Sequence, residues 1–552
     1  MGTNRNARRI RRITVVLWLV PGISGPSMGQ ELHGTIDGRV ERDLLLFPIG
    51  TSDIDGDGLG DLVVVAARGT FPGPPSPFPG DADIYWYSGS CLHTVGPPVF
   101  GTPGSHRCDA ATSAGDFDGD GVQDVAWHRL YFNSQTLQTS PEVHIESGAT
   151  RQRLAQFPDP GIFTWGAVIA PLGDVDQDGY DDIIVGGIFS GSFEIYGGPD
   201  GHLIRGHYGV AGAYNSAATI GDVDGDGAPD YIIGSGTANW VTLYSGATGA
   251  QIRRDVRGPL EGFGHSVTGV GDVDGDGIPD YAAGAPGSQS IVVLESRVHI
   301  ISGQTGEDLR IFESLYNDRD DFGIAVDGRH DVNGDGQRDL MVLAARQDYV
   351  DVYSLRTGSL LWRRRPPHAA RIAVIAMVGD LDGDGLSEWA VVDPNAAFVG
   401  TNAGRIWIFR GNYGDAEEYC LAAPNSTGRS ARLVWSGPLS VGSDEQSLEV
   451  VDGTPSSFAQ VIYGVAQSGV AFGDGALCVG GPTLYRLDAP FPLDATGHGE
   501  LDISWMAGPN VSGPGAWQSG TAWAMQAIYR DIGGPGGTGF NTTSAWRVVF
   551  TP

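Results

Sequence analysis

Asp272-Val-Asp-Gly-Asp-Gly-Ile-Pro-Asp280 is the stretch on which the reading of this 552-residue chain turns. It places carboxylates at positions 1, 3, 5 and 9 and glycine at position 6. The pattern recurs at Asp53–Asp61, Asp116–Asp124, Asp174–Asp182, Asp222–Asp230, Asp331–Asp339 and Asp380–Glu388, so seven copies start 48 to 63 residues apart. A period of that size is one supersecondary unit of about four short strands, the size of a propeller blade. Each loop runs into a short apolar segment, such as Leu62-Val-Val-Val65, Ile183-Ile-Val185, Tyr231-Ile-Ile233 or Leu340-Met-Val342. Length and β-branching make that segment a buried inner strand. A second strand follows, as in Val241-Thr-Leu-Tyr-Ser-Gly246 or Val298-His-Ile-Ile-Ser-Gly303. Thr-Gly turns then come at Thr248-Gly249, Thr305-Gly306 and Thr357-Gly358, and lead into a third strand such as Gln251 to Arg254. With the strand ahead of the acidic loop, the unit has four.

Acidic loops of this kind suit a hard cation. Ca²⁺ takes about six to eight oxygens at roughly 2.3–2.6 Å, and a glycine at position 6 allows the sharp turn that brings the oxygens together. Mg²⁺ suits them less, because it demands tighter octahedral geometry and keeps its waters. Four carboxylates a few ångströms apart repel unless they are protonated or neutralised. A simple turn-forming role for Asp-Gly would not call for four acids per loop. An EF-hand would need Glu at position 12 and flanking helices. Position 12 holds Val64, Trp127, Val185, Ile233, Ala283, Val342 and Val391, which excludes it.

Gly262-Phe263-Gly264, the Asp272–Asp280 loop and Gly284-Ala285-Pro286 together resemble the FG-GAP repeat of integrin α-subunit propellers and their bacterial relatives. Phe322-Gly323 and Trp165-Gly166 repeat the opening pair, and the resemblance covers roughly residues 31 to 411. It implies a seven-bladed β-propeller binding up to seven Ca²⁺. In each loop four side chains and the backbone oxygen of position 7 would be ligands. The first set is then Asp53, Asp55, Asp57, Leu59 and Asp61, and the second Asp116, Asp118, Asp120, Val122 and Asp124. The third is Asp174, Asp176, Asp178, Tyr180 and Asp182, and the fourth Asp222, Asp224, Asp226, Ala228 and Asp230. Asp272, Asp274, Asp276, Ile278 and Asp280 form the fifth. The sixth, Asp331, Asn333, Asp335, Gln337 and Asp339, has one carboxylate fewer. The seventh, Asp380, Asp382, Asp384, Leu386 and Glu388, ends on a longer side chain.

The rest of the chain supplies context. Arg5, Arg8, Arg9, Arg11 and Arg12 precede the apolar run Ile13 to Val20, and small residues at Ser27 and Gly29 complete an export signal over residues 1–29. The mature propeller is expected over 30–411, in a secreted or cell-envelope protein that is a monomer without a membrane span. The segment Glu31 to Arg42 should close the ring by completing the seventh unit, which lacks a last strand after Phe409. A net charge of −32 with no basic stripe argues against nucleic acid. Four cysteines fit two local disulfides, Cys91 with Cys108 and Cys420 with Cys478. Free buried thiols are the alternative.

Residues 412–418 read as a polar linker, and 419–552 as a small β-sandwich-like domain with alternating strands such as Leu448-Glu-Val-Val451 and Trp546-Arg-Val-Val-Phe550. The aromatics Trp505, Trp517, Trp523 and Tyr529 suit core packing or a glycan surface. No catalytic motif stands in the expected mature chain: the one Gly-x-Ser-x-Gly, at Gly25–Gly29, falls inside the signal. An adhesion or ligand-binding module for a protein or glycan is therefore expected, the alternative being a propeller enzyme, a polysaccharide lyase or hydrolase. Contact loops are expected in the insertions Arg68 to Asp83 and Ala285 to Arg297.

Overall fold

The computed structural model describes residues 32–550 apart from 38–44, 68–81, 90–91, 93, 96–98, 101–104, 109, 134–137, 159–164, 188–190, 209–214, 288–295, 315–319, 365–370, 397–403, 412–415, 421, 437–445, 504–515 and 519–520. The export signal, Cys91, Trp505 and most of both insertions lie outside the described residues.

The described secondary structure is all β. Six antiparallel sheets follow one another along the chain. The first is Leu45–Thr51, Asp61–Ala67, Ala82–Tyr87 and Val99–Phe100. The second is Ala111–Gly115, Asp124–Asn133, Gln138–Glu146 and Arg153–Pro158, with Ser105–Arg107 added to its second strand. The third is Trp165–Gly173, Asp182–Gly187, Ser192–Gly197 and His202–Tyr208, and the fourth Asn215–Gly221, Asp230–Ser235, Trp240–Tyr244 and Gln251–Val256. The fifth is Ser266–Gly271, Asp280–Ala285, Arg297–Ile301 and Asp308–Glu313, and the sixth Phe322–Asp327, Asp339–Ala344, Tyr349–Ser354 and Leu360–Arg364. A seventh sheet has Val374–Gly379, Glu388–Asp393 and Arg405–Phe409, and its fourth strand is Leu32–Asp37 from the other end of the chain.

That last pairing is the closure expected from the strand count. Ile36 lies opposite Ile406 and Asp37 opposite Arg405, and the Arg405 guanidinium holds the Asp37 carboxylate with Nη2···Oδ2 at 2.7 Å. Pairing the two ends satisfies backbone groups that an unpaired edge would leave open.

First strands pack on one another in chain order, and Val374–Gly379 returns to Leu45–Thr51. Where the first and seventh sheets meet, the backbones come close: a Cβ on Gly50 would lie 1.9 Å from the Val378 carbonyl oxygen. The apolar run after each loop, expected as the inner strand, is thus the second strand, with the strand ahead of the loop lying inside it. In the third to seventh sheets every residue of the second strand is buried. A strand covered on both faces reads as a continuous apolar run. Each fully buried Val or Ile there stabilises by about 1.5–3 kcal/mol.

The core is divided among the seams between sheets. Ile49, Trp86 and Trp127 join the first and second sheets, Phe117 and Ile183 the second and third, and Leu172, Ile195 and Tyr231 the third and fourth. Leu243 and Tyr281 link the fourth and fifth, Trp362 and Trp389 the sixth and seventh, and Leu62 and Ile408 the first and seventh. The seam of the fifth and sixth sheets, with Phe312, Tyr353 and Leu360, is continuous with Leu433, Leu448 and Trp546 beyond residue 411.

In that later region a five-stranded sheet runs in the order Ala416–Tyr419, Gly539–Val549, Ala522–Asp531, Phe458–Gly464, Tyr485–Pro492. A three-stranded sheet contains Arg432–Ser436, Gln446–Val451 and Gly499–Ile503, and a hairpin joins Ala466–Phe472 to Gly475–Gly480. Residues 416–418, expected in a linker, are instead strand: Ala416 pairs with Val548 and Glu418 with Trp546. The two glutamates, Glu417 and Glu418, concealed an edge strand, whose pairing depends on a partner far along the chain. Cys420 and Cys478 lie at disulfide distance, Cα to Cα 6.3 Å, as the local pairing requires. Trp517, Trp523 and Tyr529 are buried in the core rather than exposed.

Candidate metal centres

Each acidic loop joins the first strand of a sheet to its second and folds around its own carboxylates. In the fifth loop Asp272 Oδ1 accepts the N–H groups of Gly275 at 2.7 Å and Asp276 at 3.1 Å, and its Oδ2 that of Gly277 at 2.9 Å. Asp274 accepts from Asp276 N–H, and Asp276 from Ile278 N–H. Asp280, at position 9, takes Val273 N–H on one oxygen at 2.7 Å and Gly303 N–H, from the turn after the third strand, on the other at 2.9 Å. These are the local bonds by which Asp shapes a turn.

The chain can turn this tightly because positions 4 and 6 are both left-handed. Gly275 has φ 80° and Gly277 φ 87°, and at position 4 of the third loop Gln177 takes φ 61°. Glycine at position 4 in the other six loops was as legible as that at position 6, but its role was missed. So was the turn glycine: a Cβ on Gly303 would lie 1.8 Å from the Pro279 carbonyl oxygen, and one on Gly89 2.0 Å from that of Gly60. The recurring Ser-Gly at the end of the third strand was the signal for it.

The expected ligands converge, in two ways. In the first, fourth and fifth loops the carboxylates of positions 1, 3 and 5 place oxygens within 4.8 Å of one another, namely Asp53, Asp55, Asp57; Asp222, Asp224, Asp226; and Asp272, Asp274, Asp276. In the second and third the triplets are Asp116, Asp118, Asp124 and Asp174, Asp176, Asp182, which include position 9. At position 5, Asp120 and Asp178 accept the N–H of position 7 in those two loops. The same bond, 2.8–3.1 Å long, comes from Leu59, Val122, Tyr180, Ala228, Ile278, Gln337 and Leu386 in turn.

Position 9 sits at the base of every loop. Asp61, Asp124, Asp182, Asp230, Asp280, Asp339 and Glu388 are fully buried. Burial, aided by the neighbouring carboxylates, pushes Asp124 and Asp182 up to about 7, Asp280 to about 6 and Glu388 to about 8. It raises Asp61, Asp230 and Asp339 as well. Among the buried loop oxygens, Asp116 Oδ1, Asp182 Oδ1, Asp339 Oδ1 and Glu388 Oε1 have no hydrogen-bond partner. Clustered hard oxygens, raised carboxyls and orphaned acceptors fit a divalent cation such as Ca²⁺ at the loops.

The loops also touch. Gly60 N–H donates to the Asp380 carbonyl, Asp181 to that of Asp116 and Ser387 to that of Asp331, and the Gln337 amide to that of Asp272. The first loop therefore meets the seventh.

Residues 53–127 and 222–283 match the model of the FG-GAP-like repeat. The chain carries FG-GAP-like repeats. Integrin alpha pat-2 of Caenorhabditis briggsae is 25% identical over 183 residues, and its Caenorhabditis elegans counterpart 23% over 183. Each match takes in 29% of this chain and 14% of the relative's length. Among solved structures, Chaetomium thermophilum Raptor aligns over 70% of this chain and 29% of its own, at 10% identity and a TM-score of 0.43. The FG-GAP-like matches begin at the acidic loops of the first and fourth sheets. No helix among the described residues is long and apolar enough to cross a membrane.

Proposed function

We propose that this chain is a seven-bladed β-propeller with a β-sandwich-like domain packed on its sixth blade, stabilised by Ca²⁺ at its FG-GAP-like loops. It is an exported adhesion or ligand-binding module for a protein or glycan. The observation that carries the reading is the recurrence of one carboxylate-lined loop at the same place in seven sheets, on a chain whose repeats match FG-GAP and integrin alpha. The circuit of first strands supports seven blades, and the shared core of the two later sheets supports a sandwich. Binding rather than catalysis is favoured because the acidic residues are engaged in the loops and no catalytic motif accompanies them.

The metal's part is electrostatic: Ca²⁺ would neutralise the carboxylates of positions 1, 3 and 5. The chain does the rest, with position 9 tying the loop to its sheet and the loops fixing one another through their carbonyls. A cation that binds only the folded state raises stability by mass action, and several sites do so together. Thermal unfolding in excess chelator should show a large fall in melting temperature, restored by Ca²⁺ more effectively than by equal Mg²⁺. An unchanged melt would remove the metal from the reading. A screen of the calcium-loaded protein against glycans and surface proteins tests the binding part.

A further inference from the structure

We infer that the sixth loop, Asp331–Asp339, carries its own cation in the Arg356 guanidinium and takes no Ca²⁺, whereas the loops beginning at Asp53, Asp116, Asp222 and Asp272 take it. The inference rests on the calcium reading above and divides the seven loops within it.

The guanidinium lies on the carboxylate of position 5. Arg356 Nε is 3.3 Å from Asp335 Oδ1, and its Nη2 donates to the Asp335 backbone carbonyl. A Cβ on Gly336 would come within 3.5 Å of Nη2, so the group lies across the loop. The other oxygen of Asp335 accepts from Ser354 Oγ at 3.0 Å and from Asn333 Nδ2 at 3.2 Å. Both carboxylate oxygens and the carbonyl of position 5 are thus engaged by donors.

Asn333 reinforces the substitution. It stands where the other six loops have aspartate, is only 7% exposed, and directs an N–H donor at Asp335. Its own Oδ1 accepts the Asp335 N–H at 2.9 Å. The loop thus has one carboxylate fewer and an N–H donor turned toward Asp335 where the others have a second carboxylate oxygen.

The site of Arg356 is specific to this sheet. After the third strand the second, fourth and fifth sheets have Ala149, Ala247 and Gln304 at the corresponding place. None of these can bring a charge to the loop. The sixth sheet also has Leu355 where the others have the turn glycine. Asp339 Oδ1, the oxygen that would meet that glycine's N–H, is buried without a partner. Asp280 Oδ1 spends the same oxygen on Gly303, away from the ligand side, so the orphan in the sixth loop is a lost turn bond rather than an open ligand. Its Oδ2 still takes Val332 and Asn333 N–H. The third and seventh loops also bring a basic side chain to a carboxylate, but at position 3 rather than 5, with His202 Nε2 3.4 Å from Asp176 and Arg410 Nε 2.8 Å from Asp382. Each retains four acidic side chains and belongs to neither group.

Hydrogen exchange of the full chain, read by mass spectrometry on peptides spanning each loop, tests the division. It is run with Ca²⁺ and after chelation, well below the melting temperature. Peptides containing 53–61, 116–124, 222–230 and 272–280 should exchange about tenfold faster or more once Ca²⁺ is removed, while 331–339 stays within about twofold. Loosening of 331–339 as large as that of 272–280 would overturn the inference and leave the calcium reading standing. No response in any loop would overturn both. In Arg356→Gln with Ca²⁺ present, 331–339 should lose its protection while 272–280 keeps it. Protection unchanged at 331–339 in that variant would also overturn the inference.

Discussion

The fourth strands of the fourth and sixth sheets occupy the same register and meet different surroundings. Gln251–Val256 runs along an open edge, with Gln251, Ile252, Arg254 and Val256 exposed. Leu360–Arg364 is buried at every residue. In the fourth sheet Arg254, opposite Thr242, donates to that residue's hydroxyl and lies 4.4 Å from the Trp240 ring centroid. In the sixth, Arg363 is opposite Asp351, forms two 2.7 Å bonds with its carboxylate and lies 4.2 Å from the Tyr349 ring centroid. One arginine finishes an edge in water. The other is a buried ion pair beneath the strands Ala416–Tyr419 and Arg432–Ser436, which pack on Leu360–Arg364. The same strand position is therefore a surface in one sheet and a docking seat in another, and the later strands make the difference.

Removing the cover should have the largest effect. A chain ending at residue 411 keeps the pairing of Leu32–Asp37 with Arg405–Phe409, yet uncovers the cluster shared by Phe312, Tyr353, Leu355 and Leu360. Each such side chain returned to water costs about 1.5–3 kcal/mol, so the truncated chain should melt well below the full one and bind an apolar dye. Equal melting temperatures would show that the later strands merely rest on the sixth sheet.

The two arginines separate next. Arg363→Ala leaves Asp351, which is fully buried, without its counter-charge, and loss of one partner of such a pair costs about 3–5 kcal/mol. Arg254→Ala removes an exposed group whose ring contact contributes below about 1 kcal/mol. Urea unfolding of both variants tests the ratio. Similar losses would mean that Leu360–Arg364 is no more enclosed than its counterpart.

The sequence made one half of this comparison legible and hid the other. Seven acidic loops at a blade-sized period disclosed the repeating sheets, the loop residues and even the Leu32–Asp37 closure, because each of those depends on a local pattern repeated many times. The seat on the sixth sheet does not repeat. Leu360-Leu-Trp-Arg-Arg364 differs from Gln251-Ile-Arg-Arg-Asp255, but only the three-dimensional neighbour explains the change, and Ala416–Glu418 looked like a linker for the same reason. Within the loops the ligand types were readable, whereas the burial of position 9 and the reach of Arg356 depend on turns more than 15 residues away in sequence.

The smallest and most diagnostic effect concerns pH, and it sets the loops apart from the ion pair. Without metal, burial raises Asp124 and Asp182 to about 7, Asp280 to about 6 and Glu388 to about 8, while the unfolded chain titrates near the usual carboxylate value of about 4. The folded chain then holds protons that the unfolded chain has released. A raised folded value contributes stability that is complete below about pH 4 and is lost as pH climbs through about 6 to 8. Metal-stripped protein should therefore melt higher at pH 5 than at pH 8. Ca²⁺ binds ionised carboxylates and offsets the repulsion that grows as the loops lose protons, so the loaded protein should lose less melting temperature between pH 5 and pH 8 than the stripped protein. Melts at the two pH values, on stripped and loaded protein, give two differences whose order is fixed by this argument. Stripped protein that is more stable at pH 8 would mean that the buried carboxylates are ionised in the fold without a cation, and the electrostatic case for Ca²⁺ at the loops would fail.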